Sequence, residues 1–483
     1  MKAEERSNTR THVAIFPCPA QGHVNSMLKL AQLLALHRFH VTFLNTDYIH
    51  HRFQRFGDTE VLSQTYPTLQ FKTFPDGLPQ HHPRSGHSVM DLFHSITSHA
   101  KPHIRDILLS QSPGKPRITC FIGDGIFGAL TVDVANEVGI PIIHFRTISA
   151  SCFWTNFCVP NLCQSNQLPI TGDEDMDRVI TCIPGMENMF RCRDLPSFCR
   201  GTESNIVFAM NLLVFETYQT LRARALILNT FEDLEGSVLS QIRLHFPQVF
   251  TIGPIHAHLN SRKDPETTPS TNCIFQLDRT CMAWLDSQPL KSVIYVSFGS
   301  ITTMTRERIV EIWYGLVNSK KRFLWVVRPD MVGENENGDR VPAELEEGTK
   351  ERGFIVGWAP QEEVLAHKAI GGFLTHGGWN STLESLAAGV PMICWPYFGD
   401  QHVNSRFVSE VWKLGLDMKD LPYDRNLVEK TVNDLMDHRR EEFLNSARAM
   451  AMLANHSVSP AGSSYSNLDC LIQYIKSITQ EII

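Results

Sequence analysis

This sequence predicts an α/β architecture of two doubly wound, Rossmann-like domains facing across a cleft, on three observations. Short runs of β-branched and aromatic residues alternate with longer amphipathic stretches almost throughout. The alternation stops at one polar, Pro- and Thr-rich stretch, HLNSRKDPETTPSTN (258–272), and then restarts. The length, 483 residues of which 42% are hydrophobic, allows two or three domains, each with a substantial core.

The first block supplies VAIFP (13–17), VTFLN (41–45), LQFKTF (69–74), ITCFI (118–122), PIIHF (141–145), ALILNTF (225–231) and VFTIG (249–253) as strands. Between them lie helical patterns such as Met27 to His37 and Ala129 to Val138. Strands that are apolar without alternation are buried on both faces, as in a parallel sheet covered by helices. The second block repeats the pattern with SVIYVSFG (292–299), FLWVVRP (323–329), FIVGW (354–358), GGFLTH (371–376) and PMICWP (391–396). A last helix is expected from about Ser464 to Ile482, after Pro460-Ala461-Gly462. The expected organisation is therefore 1–257, a linker at 258–272, a second domain at 273–460, and a tail helix at 461–483.

Composition excludes several classes. With 44 Lys+Arg against 51 Asp+Glu the net charge is −7, which is no footprint for nucleic acid. The apolar run Val13–Phe16 is too short for a signal-peptide core, and nowhere do about 18 apolar residues run together, so a soluble cytoplasmic protein without membrane insertion is expected. The 12 cysteines include no C-x-x-C pair and read as reduced thiols. The 21 histidines include doublets but no H-E-x-x-H, so no metal site is expected.

Three motifs mislead. Gly123-Asp124-Gly125-Ile126-Phe127-Gly128 is a formal G-x-G-x-x-G, but three strands precede it, and Asp124 would aim a carboxylate at a pyrophosphate. Asp173, Asp175 and Asp177 form overlapping D-x-D triplets in a polar loop, where a solvated acidic face is the plainer reading. Gly372 and Gly377 have P-loop spacing, but Gly378-Trp379 stands where Lys-Ser/Thr is needed.

Two other turns are more coherent. GGFLTH runs into His376-Gly377-Gly378-Trp379-Asn380-Ser381 and a helix, a start whose bare N–H groups and dipole suit a phosphate. Asn380 or Ser381 acting only as an N-cap explains the same residues equally well. Ser297-Phe298-Gly299-Ser300 also ends a strand with small and hydroxyl residues, so a diphosphate between the two turns is expected. In the first block, Pro17-Cys18-Pro19-Ala20-Gln21-Gly22-His23 leads from strand to helix, and Asp124 ends another strand at the same carboxyl edge. A His–Asp pair without a Ser or Cys nucleophile suits a general base and the group that orients it.

Read continuously, Trp358 to Gln401 is WAPQEEVLAHKAIGGFLTHGGWNSTLESLAAGVPMICWPYFGDQ, a 44-residue segment. It resembles the signature box, the PSPG box, of plant small-molecule UDP-glycosyltransferases. PAQGH, the IGDG turn, the GPI before the linker and YVSFGS extend the resemblance over nearly the full chain. It implies a GT-B fold, with the acceptor in the N-terminal domain, the nucleotide sugar in the C-terminal one, and the tail helix packed back on the former. It also implies that Trp358 stacks on uracil beside Ala359, that Gln361 bonds the base edge, and that Glu384 accepts the ribose hydroxyls. Ser300, His376, Gly378, Asn380 and Ser381 would hold the diphosphate. Trp379, Asp400 and Gln401 would fix the sugar, with Thr147 touching it. Gln401 at the last box position goes with glucose in this family, so the implied co-substrate is UDP-glucose, with no metal or other cofactor. A monomer is expected.

The implied reaction has His23, oriented by Asp124, deprotonate an acceptor hydroxyl that displaces UDP with inversion. Gly377 stands where many relatives have Cys, Ser26 where many have Pro, and Arg146 where Trp is more usual. Together with GHVNSMLKLAQLL, VANEVGIPIIHFRTISA and CRDLPSFCR, these features are similar to the branch containing 7-deoxyloganetic acid glucosyltransferases. The expected acceptor is a small terpenoid, an iridoid acid or lactol, with Arg146 either near its carboxylate or paired internally. Phenolics such as flavonoids or stilbenoids are the alternative acceptors. An NADP-linked oxidoreductase on the Gly123–Gly128 turn and a binding protein without turnover are the readings from other classes.

Overall fold

The computed structural model describes residues 11–84, 88–111, 114–170, 172–263, 273–331, 349 and 352–481. In the first half the strands are β1 (His12–Phe16), β2 (His40–Thr46), β3 (Leu69–Phe74), β4 (Cys120–Asp124), β5 (Ile142–Arg146), β6 (Val179–Ile180), β7 (Phe190–Arg191), β8 (Ala225–Leu228) and β9 (Val249–Thr251). In the second half they are β10 (Val293–Ser297), β11 (Arg322–Val326), β12 (Gly353–Val356), β13 (Ile370–Thr375), β14 (Met392–Cys394) and β15 (Gly415–Asp417).

Among the described residues one sheet has seven strands in the order β3-β2-β1-β4-β5-β8-β9, and the other has six in the order β12-β11-β10-β13-β14-β15. Every pairing in both is parallel. In each sheet the winding direction reverses once, between β1 and β4 in the first and between β10 and β13 in the second. At such a reversal the loops leaving the two strands part in opposite directions, opening a crevice at the carboxyl edge. Asp124 ends β4, and His23, Ser300 and His376 follow β1, β10 and β13 at the same edges.

Four features differ from expectation. β15 is an additional edge strand, and the short antiparallel hairpin β6–β7 lies apart from both sheets. The helix Ile255–Arg262 occupies the first residues of the stretch expected as linker, while 264–272 lie outside the described residues. The run 225–231 leaves its sheet after Leu228, freeing Asn229 and Thr230 for contacts below.

The tail helix, Ser463–Gln480, packs on β9 and β4 and buries Leu468, Leu471, Ile472, Ile475 and Ile478 in the core of the first sheet. Their spacing of three and four residues makes one apolar stripe. The chain reverses into it at Gly462, where a Cβ would overlap the His456 and Ser457 carbonyls. Ser464 then donates its hydroxyl to the Gly253 carbonyl at 2.6 Å.

Candidate active site

His23 lies in the first turn of the helix Gln21–Leu36, directly beyond β1. β1 pairs with β4, Phe16 against Gly123, so the residue ending β4 reaches the same edge. His23 Nδ1 lies 2.6 Å from Asp124 Oδ2, with side chains 23% and 1% exposed. Because a carboxylate only accepts, Nδ1 carries the proton and donates it, which leaves Nε2 as a free base. The Cys18 and Ile126 N–H groups also donate to Asp124, at 3.0 and 3.2 Å. Burial pushes the Asp124 carboxyl up. Electrostatic attraction to the His23 ring, its hydrogen bond and these N–H donors outweigh it and hold the group below its ordinary value. Thr147 Oγ1 stands 2.9 Å from the same Nδ1.

On the other side of the crevice the helix Trp379–Ala387 starts at Gly378, which offers no capping side chain. Neither Asn380 nor Ser381 is therefore the N-cap, and the first N–H groups of the helix remain donors. His376 sits against bare backbone, since a Cβ at Gly299 or at Gly378 would come within 2.5 Å of its Nε2. Gly299 also has φ +73°, a left-handed conformation that glycine adopts at no steric cost. Burial and the nearby Arg328 lower the His376 pKa to about 4, so its ring is neutral. Arg328, which the sequence reading missed, donates to the Gly299 carbonyl and, at 2.9 Å, to that of Thr302. It thereby shapes the loop that holds Ser300. Its position at the end of FLWVVRP was the only sequence clue.

Gln361 donates to Ser381 Oγ at 2.9 Å and to Glu384 Oε2 at 2.7 Å, so three of the expected nucleotide contacts form one cluster. Burial, reinforced by the charge of Glu362, raises the Glu384 pKa to about 7. Trp358 stacks on Phe275 with centroids 4.4 Å apart, and Ala359 is buried beside it. Asp400 is raised to about 6 by burial, against opposing contributions from Asn404 and His23. Gln401 uses its carbonyl oxygen on the Tyr397 and Phe398 N–H groups at 2.7 and 3.0 Å, which leaves its amide N–H bonds as donors. Asn404, another residue the sequence reading passed over, fastens Asp400 at 2.8 Å, the Gly377 carbonyl at 2.9 Å and the Ser149 hydroxyl at 2.9 Å.

The two halves are joined at the site itself. Asn380 donates to the Gly22 carbonyl at 2.7 Å and accepts from Ser26 Oγ at 2.8 Å. The Trp379 indole donates to the Asn229 carbonyl at 2.8 Å. The indole N–H is thereby already committed. The main-chain N–H of Trp379 donates to the Asp400 carboxyl group.

Of the two placements expected for Arg146, near an acceptor carboxylate or held internally, the structure has the internal one. It is 4% exposed, donates to the Gly125 carbonyl and lies over the Phe153 ring. A buried guanidinium turned to backbone presents no fork to a ligand carboxylate. At the Gly123–Gly128 turn the buried Asp124 carboxylate and the Arg146 side chain packed on Gly125 take the place a pyrophosphate would need. Asp177 pairs with Arg191 and Arg193 at 3.2 and 2.8 Å, and Asp175 with Arg178 at 3.3 Å. Among the described residues there is no cluster of three or more metal-ligating side chains, and no helix is long and apolar enough to cross a membrane.

The family described as UDP-glucoronosyl and UDP-glucosyl transferase matches residues 207–439, and the glycosyltransferase N-terminal domain matches residues 10–181. A 7-deoxyloganetic acid glucosyltransferase of Catharanthus roseus is 53% identical over 481 residues, covering 98% of this chain and 99% of its own. Os79 of O. sativa in complex with UDP superposes with TM-score 0.81 at 27% identity, over 96% of this chain and 100% of the other. UGT71G1 of Medicago truncatula complexed with UDP-glucose superposes with TM-score 0.78 at 28% identity, over 97% of this chain and 99% of the other.

Proposed function

Because the chain belongs to the UDP-glucuronosyl and UDP-glucosyl transferase family, we propose that it transfers glucose from UDP-glucose to a hydroxyl of a small iridoid acid resembling 7-deoxyloganetic acid. The observation that carries the mechanism is the His23–Asp124 hydrogen bond of 2.6 Å at the edge facing the bare helix start at Gly378. His23 Nε2 takes the acceptor proton as its oxygen attacks the anomeric carbon, and Asp124 holds the imidazolium that forms. Attack in line with the leaving group inverts the anomeric centre.

The departing diphosphate gathers charge against the first N–H groups of Trp379–Ala387, with Ser300, neutral His376, Asn380 and Ser381 as further donors. Trp358 and Gln361 hold the base, Glu384 the ribose, and Asp400, Gln401 and Thr147 the sugar. Residues up to 257 supply the acceptor side and 273–460 the donor side, and the tail helix ties the second to the first. The 53% identity to a 7-deoxyloganetic acid glucosyltransferase supports this acceptor class over phenolics. Incubation with UDP-glucose and a panel of iridoid acids and phenolics tests it. A product carrying one added hexosyl unit on the iridoid is expected, and products from phenolics alone would refute the acceptor assignment.

A further inference from the structure

Arg146 ends β5 next to Asp124 at the end of β4, where Asp124 pairs with Phe145. Its guanidinium holds the Gly125 carbonyl, one residue beyond Asp124. Glu216 accepts the Ala129 N–H at 2.8 Å, at the start of the helix Gly128–Val138. A Cβ at Gly125 would overlap the Arg146 side chain, and one at Gly128 would come 2.8 Å from the Glu216 carbonyl oxygen. The turn is thus bare backbone gripped between a buried cation and a buried carboxyl group.

Asp124, Arg146 and Glu216 are 1%, 4% and 3% exposed. Burial opposes the Arg146 charge, while Asp124 and Glu216 support it. Burying a guanidinium is expensive, and aliphatic or aromatic side chains fill such space at less cost. The charge stands where the catalytic carboxylate is set, and the Gly125 carbonyl it holds belongs to the turn whose Ile126 N–H donates to Asp124.

We propose that Arg146 and Glu216 are positioning residues for the His23–Asp124 base. Together they clamp the Gly125–Gly128 turn so that the Asp124 carboxylate meets His23 Nδ1, with the guanidinium behind it. The inference rests on the reading of His23 as the base. It makes Arg146 indifferent to whether the acceptor carries a carboxylate.

Initial rates of Arg146→Met, Arg146→Lys, Glu216→Gln and His23→Ala, with an iridoid acid and its methyl ester, test it. Arg146→Met lowers kcat about 10- to 100-fold by the same factor on both acceptors, with both KM values within about twofold of wild type. Arg146→Lys, which keeps the charge but not the fork, falls between Met and wild type. Glu216→Gln, of the same size, lowers kcat several-fold. An unchanged kcat in Arg146→Met overturns the inference, and so does a KM rise confined to the acid. If Arg146→Met does not fold, the Lys variant decides: reduced kcat on both acceptors supports the clamp, and wild-type kcat refutes it. Wild-type-like turnover by His23→Ala overturns the base assignment and this inference with it. Loss in His23→Ala with none in Arg146→Met overturns this inference alone.

Discussion

Replacing Asp124 by Asn keeps the size of the side chain and removes its charge. In the reaction His23 becomes an imidazolium 2.6 Å from Asp124 Oδ2, in a site where the carboxylate is 1% exposed. A pair of unit charges about 4 Å apart at an effective dielectric near 20 is worth ~4 kcal/mol. An amide dipole at the same place keeps part of that, so the transition state loses roughly 2–4 kcal/mol, or about 30- to 1000-fold in kcat. The amide NH2 can also face Nδ1, which favours the wrong tautomer and leaves Nε2 protonated. Initial rates at saturating UDP-glucose, with release of UDP as the readout, measure the loss, and titration with UDP measures the donor site separately. UDP affinity within about twofold of wild type is expected, since the Asp124 carboxylate lies on β4, away from the Gln361–Glu384 cluster. A kcat within threefold of wild type would refute the charge role of Asp124.

Glu384→Gln has opposite consequences for stability and binding. The folded pKa of about 7 lies above the ordinary 4.5, so the unfolded chain ionises first and stability falls as pH rises between those values. The Gln variant therefore melts higher than wild type above pH 7 and not below about pH 4, while UDP affinity drops because an acceptor of ribose hydroxyls is gone. Scanning calorimetry across pH, with UDP titrations at pH 8, checks both signs. Ile475→Ala, at a fully buried position of the tail helix, is expected to cost ~2–5 kcal/mol and to lower Tm by several degrees while kcat at 25 °C stays near wild type. A Tm shift under one degree would show that the tail helix does not stabilise the first sheet.

The strands were legible because a sheet covered on both faces needs unbroken apolar runs, and VAIFP, SVIYVSFG and GGFLTH are such runs. β15 was not, because Gly415–Asp417 has one apolar residue and takes its place only from β14. The helix at 258–262 was not legible because polar residues on a helix with one buried side, His258 and Leu259, resemble a loop when read without their partners. His23 lies in the first turn of the helix after β1 and Asp124 ends β4, and both were readable because reaching one edge depends on backbone order alone. The direction of a side chain at such an edge is a tertiary property. Trp379 turns to Asn229 and Arg146 to Gly125, and neither partner is close to it in sequence. Arg328 and Asn404 escaped notice for the same reason, since they act by holding carbonyls of distant glycines.

The most direct test compares wild type with His23→Ala, supplied with UDP-glucose and an iridoid acid bearing a free hydroxyl. Wild type should form the inverted O-glucoside and release UDP. The variant should lose about 10²- to 10⁴-fold in kcat, the contribution of a positioned general base, and bind UDP as wild type does. Turnover by His23→Ala at the wild-type rate, or no glucoside from wild type with any hydroxyl acceptor, would contradict the account.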